Sequence, residues 1–189
     1  MDFDDLVART RSYRRFRQDP IEEDTLRELV NLARLSPSGG NLQPLKFAIS
    51  CDAALNAKIF PCTVWAGYLE DWPGPAEGER PTGYIVLLLD KDIRSDAGCD
   101  HGIAAQSIVL GAMARGLGAC MIGSVKRRQL AALLGVPGRY EILLVIALGV
   151  PAETVVLEAI GPSGSIEYYR APDDTHHVPK RSLDELIVG

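Results

Sequence analysis

The chain has 189 residues, of which 47% are apolar and 24% are charged, so it can bury a core without disulfides or a structural metal. The 25 acidic and 20 basic residues give a formal net charge of −5, which argues against general binding of nucleic acids. No apolar run approaches the ~20 residues of a membrane-spanning helix. Residues 1–5 are acidic where a signal peptide would be basic and then apolar, so we expect a cytoplasmic protein that does not associate with membranes.

Apolar residues recur at helical spacing in several segments, and acidic residues begin one of them, as the helix dipole favours. The predicted helices are residues 4–9, 22–35, 53–58, 100–115 and 126–134. Alternating or continuous apolar runs predict strands, at residues 45–50, 84–90, 119–122 and 141–148. These elements interleave without strict βαβ regularity, which predicts a single domain over residues 1–189 of the α+β or mixed α/β class.

Two stretches fall outside this pattern. Residues 66–83 are rich in proline, glycine and acidic residues, and irregular stretches of this length in compact domains are usually functional or mobile. Residues 168–189 form a polar tail with a final apolar patch.

An arginine cluster follows the first predicted helix. Residues 9–17 hold five arginines and no acidic residue. Guanidinium groups this close repel one another unless an anion lies among them, and arginine binds phosphate through paired hydrogen bonds. Ser12 adds a hydroxyl donor. The cluster therefore indicates an anion site, and the alternative is a solvated basic face beside the nearby aspartates.

A loop at residues 37–44 offers a second set of polar groups. Its two glycines allow the backbone to approach a flat ligand, and Ser38, Asn41 and Gln43 supply hydroxyl and amide groups. A plain turn between helix and strand would also use glycine and asparagine, but it would not need so many polar side chains.

Residues 116–124 come close to two nucleotide-binding motifs and match neither. Met121 stands where the dinucleotide motif needs glycine, and Ser124 stands where the P-loop needs lysine. We therefore predict neither a Rossmann site nor an ATPase.

Side chains for acid–base, nucleophilic or metal chemistry are scarce. A cysteine nucleophile at Cys99 is not favoured, because the following Asp100 is expected to be a helix N-cap. His176 and His177 lie beside two aspartates in the polar tail, where we expect a solvated loop and no metal site. Anion and amide donors without such side chains suggest that a bound cofactor carries the chemistry.

Taken together, these segments resemble the nitroreductase family of flavin oxidoreductases. Residues 11–16 (R-S-Y-R-R-F) resemble the family's R-S-x-R-x-F signature, and residues 36–44 resemble its A-P-S-x-x-N-x-Q-P loop. Residues 100–124 resemble its D-x-G helix and G-L-G-x-x-x-I-G turn, and residues 179–185 resemble its K-P-R-x-P-L-E-E tail. The resemblance covers nearly the whole chain. It implies a mixed sheet flanked by helices, in an intertwined homodimer with two FMN sites at the subunit interface.

The resemblance also implies which residues contact the flavin. Arg11, Ser12 and Arg14 would hold the phosphate and the ribityl chain. Residues of the 37–44 loop would line the flavin from the partner subunit, and residues 121–124 would run past the isoalloxazine with a backbone N–H near its N5 atom. The further expected contacts are Tyr13, Pro37, Ser38, Gly39, Asn41, Gln43, Met121, Ile122, Gly123 and Ser124.

The family's phosphate contact from the tail has two candidates here, Lys180 and Arg181. Thr10 stands where the family often has arginine, so that contact is either absent or supplied by Arg9. Residues 66–83, which we call the excursion, occupy the place of a segment that covers the acceptor pocket in other members.

The implied activity is that of an FMN-dependent oxidoreductase. NADH or NADPH would reduce the flavin, and a nitro compound, quinone or related electron-poor acceptor would then take the same place, in a ping-pong reaction carried by the flavin without a catalytic side chain. The alternatives are another flavin reaction, such as reductive dehalogenation or flavin breakdown, and a non-enzymatic flavin binder.

Overall fold

Helices and strands alternate along the chain in the computed structural model, which describes residues 2–188. Residues 1 and 189 of the predicted domain lie outside the described part. The helices are α1 (Phe3–Arg9), α2 (Glu23–Leu35), α3 (Ala53–Ile59), α4 (Asp100–Ala114) and α5 (Arg127–Leu134). The strands are β1 (Phe16–Arg17), β2 (Leu45–Ser50), β3 (Gly83–Asp90), β4 (Gly118–Ile122), β5 (Tyr140–Pro151), β6 (Val155–Ala159), β7 (Tyr169–Arg170) and β8 (His176–Lys180). The helices and strands predicted from the sequence are confirmed, with small shifts at their ends.

Strand β5 organises the main sheet, because it pairs with three other strands. Along one edge it pairs with β3, which in turn pairs with β2. Along the other edge it pairs with β4 as far as Gly149 and with β1 at Val150 and Pro151. All of these pairings are antiparallel, and the predicted α+β class is confirmed. This arrangement places β1, which ends the arginine cluster, next to β4.

The two faces of the main sheet bury separate apolar cores, as the alternation of β3 shows. Ile85 and Leu87 pack in the core formed with α2 and α4. Tyr84, Val86 and Leu88 point to the other face, in the core shared with α3 and α5. Because successive side chains of a strand face opposite sides, a continuous apolar run is what a strand buried on both faces requires.

Helix α4 approaches α2 closely. A Cβ built at Gly111 would lie 2.1 Å from Leu32 Cδ1, so only glycine permits this helix contact without rearrangement. Among residues 2–188, the helices all lack the combination of length and apolar character that crossing a membrane requires.

The segment between α1 and β1 lies directly across β4. Ser12 forms a parallel bridge with Ala119, whose carbonyl accepts a hydrogen bond from the Tyr13 N–H at 3.0 Å. A Cβ at Gly118 would lie 2.8 Å from Tyr13 Cγ, which is too close for any other residue. The glycine of β4 therefore lets the arginine-bearing segment pack flat against the sheet.

The C-terminal part of the chain forms a second, three-stranded sheet that was not predicted. Strand β8 pairs with β6 in parallel and with β7 antiparallel. Strands β7 and β8 are short and polar and β6 has only five residues, so the sheet lacks the long apolar alternation by which strands are recognised in a sequence. The second sheet brings β8 back to the arginine segment.

Candidate functional site

Cationic side chains from both ends of the chain converge on one cavity of about 320 Å³, which we call the arginine cavity. Arg11, Ser12 and Arg14 reach it from the segment after α1, and Lys180 reaches it from β8. Its lining residues are Thr10, Arg11, Ser12, Arg14, Gln106, Val109, Ala119, Met121, Tyr168, His176, Val178 and Lys180. Within residues 2–188, this lining includes no acidic side chain. Three cationic side chains without an acidic one in the lining give the cavity a positive charge, which suits an anion.

Arg14 is the most constrained of the cationic groups. Only 8% of the residue is exposed, and its Nη1 donates to His176 Nε2 at 2.9 Å. The ring of Tyr168 covers the guanidinium, with 4.5 Å between Arg14 Cζ and the ring centroid. Nη1 also reaches the Ser12 carbonyl, at the longer distance of 3.4 Å. The Arg14 side chain is thus held on one face and one edge.

Glu153 holds the backbone of the same segment. Its Oε1 accepts hydrogen bonds from the backbone N–H groups of Arg14 and Arg15, the second at 3.1 Å. Its Oε2 accepts from Arg170 Nη2 at 2.5 Å, and the carboxylate side chain is only 2% exposed. A buried carboxylate with three donors anchors the arginine segment to β7.

The other residues of the predicted signature divide between the cavity and its surroundings. Arg11 lines the cavity with its Nη2 tied to the Val7 carbonyl at 2.8 Å, while its buried Nε has no hydrogen-bond partner among the described residues. Burial lowers the pKa of Arg11 from its ordinary value. Thr10 Oγ1 donates to the Leu6 carbonyl at 2.7 Å and so caps α1. Tyr13 does not line the cavity. Its hydroxyl donates to the Arg9 carbonyl instead.

The structure distinguishes the two candidates in the tail. Lys180 lines the arginine cavity. Arg181 lies outside it and faces Glu185 at 4.0 Å. Of the two, Lys180 is placed to contact an anion bound beside Arg14.

The end of β4 brings a more apolar surface to the cavity. Met121 lines it and is 37% exposed, whereas Ile122 is buried in the sheet core. Gly123 and Ser124 are exposed beyond the strand, and their carbonyls accept hydrogen bonds from Arg127 and from the Val64 N–H. The backbone of residues 123–124 is therefore exposed, and the hydrogen bonds to its carbonyls fix its position.

The 37–44 loop is organised by one buried carboxylate. Asp100 is 5% exposed, and it accepts from Ser38 Oγ at 2.6 Å and from the Gly39 N–H at 2.9 Å. The hydrogen bonds from Ser38 and Gly39 lower the pKa of Asp100 from its ordinary value. The prediction that Asp100 is the N-cap of α4 is wrong, because Cys99 occupies that position and Asp100 is the first helical residue.

Backbone conformation marks this loop as strained. Gly40, Asn41 and Gln43 have φ values of 58°, 55° and 53°, which residues other than glycine rarely adopt. Gly39 and Asn41 are exposed, whereas Pro37, Ser38 and Gln43 line a smaller cavity of about 210 Å³. Strain held in an exposed polar loop is typical of binding sites. The Ser38 hydroxyl already donates to Asp100, so its main role is to hold the conformation of the loop.

The two predicted halves of the site do not meet within one chain. Helix α4 lines both cavities. Asp100 and Ala104 line the smaller cavity at the loop, and Gln106 and Val109 line the arginine cavity. At 3.6 residues per turn, Ala104 and Gln106 differ by about 200° around the helix axis. The loop and the arginine cavity therefore lie on different sides of α4.

The side chains that hold Arg14 and its backbone were not predicted from the sequence as part of the site. They are Glu153, Tyr168, Arg170 and His176. The expectation of a solvated loop at the histidine pair is wrong for His176, which is 0% exposed. Burial and the neighbouring Arg14 lower the pKa of His176 to about 4. Within residues 2–188, there is no group of metal-binding side chains that could hold an ion.

The excursion contacts the arginine cavity through aromatic side chains. The rings of Tyr68 and Tyr168 lie 4.9 Å apart, and Tyr168 lines the cavity. Arg170 lies over the Trp72 ring at 5.2 Å. Arg15, on the other side of the segment, faces Glu79 at 3.5 Å. The excursion is thus packed against the border of the cavity.

Together, these features define an α+β protein with a cationic cavity and a separate strained polar loop. The model of the nitroreductase family matches residues 7–70 and 84–150. The chain therefore belongs to the nitroreductase family, as its motifs indicated, and it is an oxidoreductase. The match omits most of the excursion and everything after β5.

Curated relatives and solved structures agree with this assignment. The chain is 28% identical over 179 residues to a 5,6-dimethylbenzimidazole synthase of Rhodospirillum rubrum, with 79% of this chain and 82% of the relative covered. It is 25% identical over 181 residues to an NADH dehydrogenase of Thermus thermophilus, with 81% and 88% covered.

Two solved structures share the fold. An FMN-dependent nitroreductase from Clostridium difficile superposes with a TM-score of 0.67 at 23% identity, over 85% of this chain and 92% of that one. A nitroreductase family protein from Streptococcus pneumoniae superposes with a TM-score of 0.70 at 18% identity, over the full length of both.

Proposed function

We propose that the protein is an FMN-dependent oxidoreductase that uses NADH or NADPH to reduce nitro compounds, quinones or related electron-poor acceptors. The observation that carries this proposal is the arginine cavity, in which Arg11, Arg14 and Lys180 meet without an acidic neighbour in its lining. Because the chain belongs to the nitroreductase family, we infer that the anion in this cavity is part of a redox cofactor. The Clostridium difficile neighbour is an FMN-dependent nitroreductase, and the Thermus thermophilus relative is an NADH dehydrogenase, which supports the choice of cofactor and electron donor.

The residues present fit the phosphate end of FMN. The buried Arg11 Nε lacks a partner among the described residues, and such an orphaned donor suits a phosphate oxygen. Arg14 offers the remainder of a planar fork, and Lys180 adds a point charge. A cavity of about 320 Å³ is at the lower end of the range for small-molecule sites and suits part of a cofactor rather than all of it.

We propose that a second copy of the chain contributes to the site of the flavin ring. The loop with exposed Gly39 and Asn41 lies on a different side of α4 from the arginine cavity, which supports a site that two chains build together. In a two-fold symmetric dimer, the loop of one protomer can face the cavity of its partner. We therefore propose a homodimer in which each site combines the arginine cavity of one protomer with the loop of the other.

Protein groups position the reactants rather than react themselves. FMN supplies the redox chemistry when bound, because its ring accepts a hydride from the nicotinamide and passes electrons to the acceptor. Arg11, Arg14 and Lys180 would neutralise the phosphate. The accessible backbone at 123–124 and the apolar Met121 would border the ring, and the loop would cover it with amide groups. Tyr68 and the rest of the excursion would border the acceptor.

A second candidate reaction is favoured by one relative. The Rhodospirillum rubrum protein is named 5,6-dimethylbenzimidazole synthase, and this product contains the dimethyl-substituted benzene ring that is also part of isoalloxazine. Breakdown of the flavin is therefore the main alternative that keeps the same site.

One experiment tests the proposal and separates the candidates. The purified protein is reconstituted with FMN, and the chromophore that remains after dialysis is identified after heat release. NADH or NADPH is then added with and without a nitroaromatic or a quinone. We expect bound FMN and nicotinamide oxidation that depends on the acceptor, with the flavin recovered intact. Irreversible loss of the flavin absorbance in air would favour breakdown, and a protein that binds no FMN would contradict both reactions.

A further inference from the structure

Resting on the proposed function, we propose that His176 and Tyr168 are positioning residues that orient Arg14 for the phosphate of FMN. We call this pair the arginine clamp. Both residues come from the C-terminal part of the chain, beyond the residues that the family model matches.

The first part of the clamp is a hydrogen bond to an unprotonated ring nitrogen. The guanidinium of Arg14 has only donors, so at 2.9 Å from Nη1 the Nε2 atom of His176 must be the acceptor. This assigns the ring proton to Nδ1, which is buried and has no partner among the described residues. Full burial of His176 favours the neutral ring that this bond requires.

The second part of the clamp is the aromatic face of Tyr168. Its ring lies 4.5 Å from Arg14 Cζ and 5.3 Å from the His176 ring centroid. The guanidinium is thus restricted in rotation by His176 at one edge and by Tyr168 on one face. A planar fork binds phosphate through two hydrogen bonds only when its plane is correctly oriented, so restricting the plane stabilises the bound state.

The clamp also connects the arginine cavity to the excursion. Tyr168 packs on Tyr68 with 4.9 Å between ring centroids, and its hydroxyl accepts from the Tyr68 N–H at 3.4 Å. Glu153 fixes the Arg14 backbone by accepting a hydrogen bond from its N–H group. The Arg14 side chain and backbone are therefore held by separate groups, and removing the clamp leaves the backbone anchor in place.

A purely structural role for His176 would predict a different response. An apolar ring at this position keeps an aromatic side chain in the buried site but offers no acceptor to Arg14. Glutamine can place its side-chain oxygen near the position of Nε2 and so restore the acceptor. The positioning role therefore predicts that His176→Gln is close to wild type where His176→Phe is not.

The test compares FMN with riboflavin, which has the same ring and ribityl chain but lacks the phosphate. The flavin-free wild-type protein and each variant are titrated with both flavins, and binding is followed by flavin fluorescence. We expect His176→Phe to weaken FMN binding by about tenfold, as loss of a charge-assisted hydrogen bond predicts, while riboflavin binding changes less than about twofold. His176→Gln restores most of the preference for FMN.

The neighbouring histidine provides a matched control. His177 stacks on Tyr169 and lies 2.9 Å from Glu158, away from the cavity lining. His177→Asn should retain the wild-type affinity for both flavins. Tyr168→Leu is the second test, which keeps the proposal falsifiable when His176→Phe does not fold, and it should lower the preference for FMN by about threefold.

Two results would overturn the clamp while leaving the proposed function intact. One is a wild-type preference for FMN in both His176→Phe and Tyr168→Leu. The other is an equal loss of FMN and riboflavin binding, which would show that the residues only support the fold. A wild-type protein that binds both flavins equally would instead overturn the phosphate site itself, and the clamp with it.

Discussion

The arginine cavity and the 37–44 loop are the two halves of the proposed site, and they are held in different ways. Arg14 is fixed by partners from three other parts of the chain, Glu153, Tyr168 and His176. The loop is fixed mainly by Asp100, and it keeps strained backbone and exposed polar groups. This contrast suggests a division of labour, in which the cavity is organised before the ligand binds and the loop is left accessible to a second protomer.

The largest effect is expected at the centre of the cavity. Arg14→Ala removes the planar fork, so it should weaken FMN binding by about 100-fold, while riboflavin binding falls much less. Flavin titration of the two ligands checks this result, and circular dichroism of the free protein checks the fold. An unchanged ratio of FMN to riboflavin affinity in this variant would remove the cavity from the phosphate site.

A smaller effect should distinguish the two basic residues of the tail. Lys180→Ala should weaken FMN binding by about tenfold, because one charged contact with the phosphate is lost. Arg181→Ala is the matched control, and its affinity should remain within about twofold of wild type since it lies outside the cavity. The reverse order in equilibrium titrations would contradict the placement of the tail.

A substitution that weakens the anchor of the 37–44 loop is expected to lower the stability of the fold. Asp100→Asn weakens the hydrogen bonds to Ser38 and Gly39, so the free energy of unfolding should fall by about 1–3 kcal/mol in urea denaturation. Asp92→Asn is the control, since the Asp92 side chain is 68% exposed and faces Arg139 at 3.6 Å. This exposed pair should contribute less than about 1 kcal/mol. Equal stability of the two variants would remove Asp100 as the anchor of the loop.

The last effect concerns pH and the buried histidine. Burial, and then the charge of Arg14, lower the pKa of His176 to about 4, although Glu153 opposes this shift and Arg170 adds to it. Between its ordinary pKa of 6.5 and this value, the unfolded chain binds a proton that the folded chain does not. Stability is therefore unaffected above pH 6.5 and decreases as the pH falls towards 4.

The measurement is the midpoint of thermal unfolding across this pH window. The wild-type midpoint should fall more steeply than that of His176→Gln, by several degrees at about 2–4 °C per kcal/mol. His177→Asn should follow the wild-type curve. Parallel curves for wild type and His176→Gln would show that His176 is not the group that titrates.

Much of the fold was predictable because its main elements carry strong apolar patterns. Strand β3 is buried on both faces, and α4 presents small residues to α2, so both left clear signals in the sequence. The second sheet left only a weak signal, because β7 and β8 are short and polar and β6 has only five residues. Its position depends on Glu153 and His176, which pair with residues more than a hundred positions away.

The candidate site was predicted in part for the same reason. The arginine cluster and the polar loop are local in sequence, and their motifs alone indicated Arg14 and Ser38. Lone residues such as Tyr168 carry no local signal, since their role comes from the side chain they pack against. Only the structure separated Lys180 from Arg181 and placed the two halves on different sides of α4.

Mixing two defective subunits tests directly whether each flavin site combines the arginine cavity of one protomer with the loop of another. Arg14→Ala disables the cavity, and Gly40→Val disables the loop because a β-branched residue does not tolerate the φ of 58° at this position. Both are measured alone, and then as a mixture unfolded and refolded together at equal concentration.

A shared site predicts that the mixture binds FMN at about one quarter of its sites, because half of the dimers are mixed and each mixed dimer contains one intact site. An FMN content of the mixture no higher than the average of the two separate variants would contradict it.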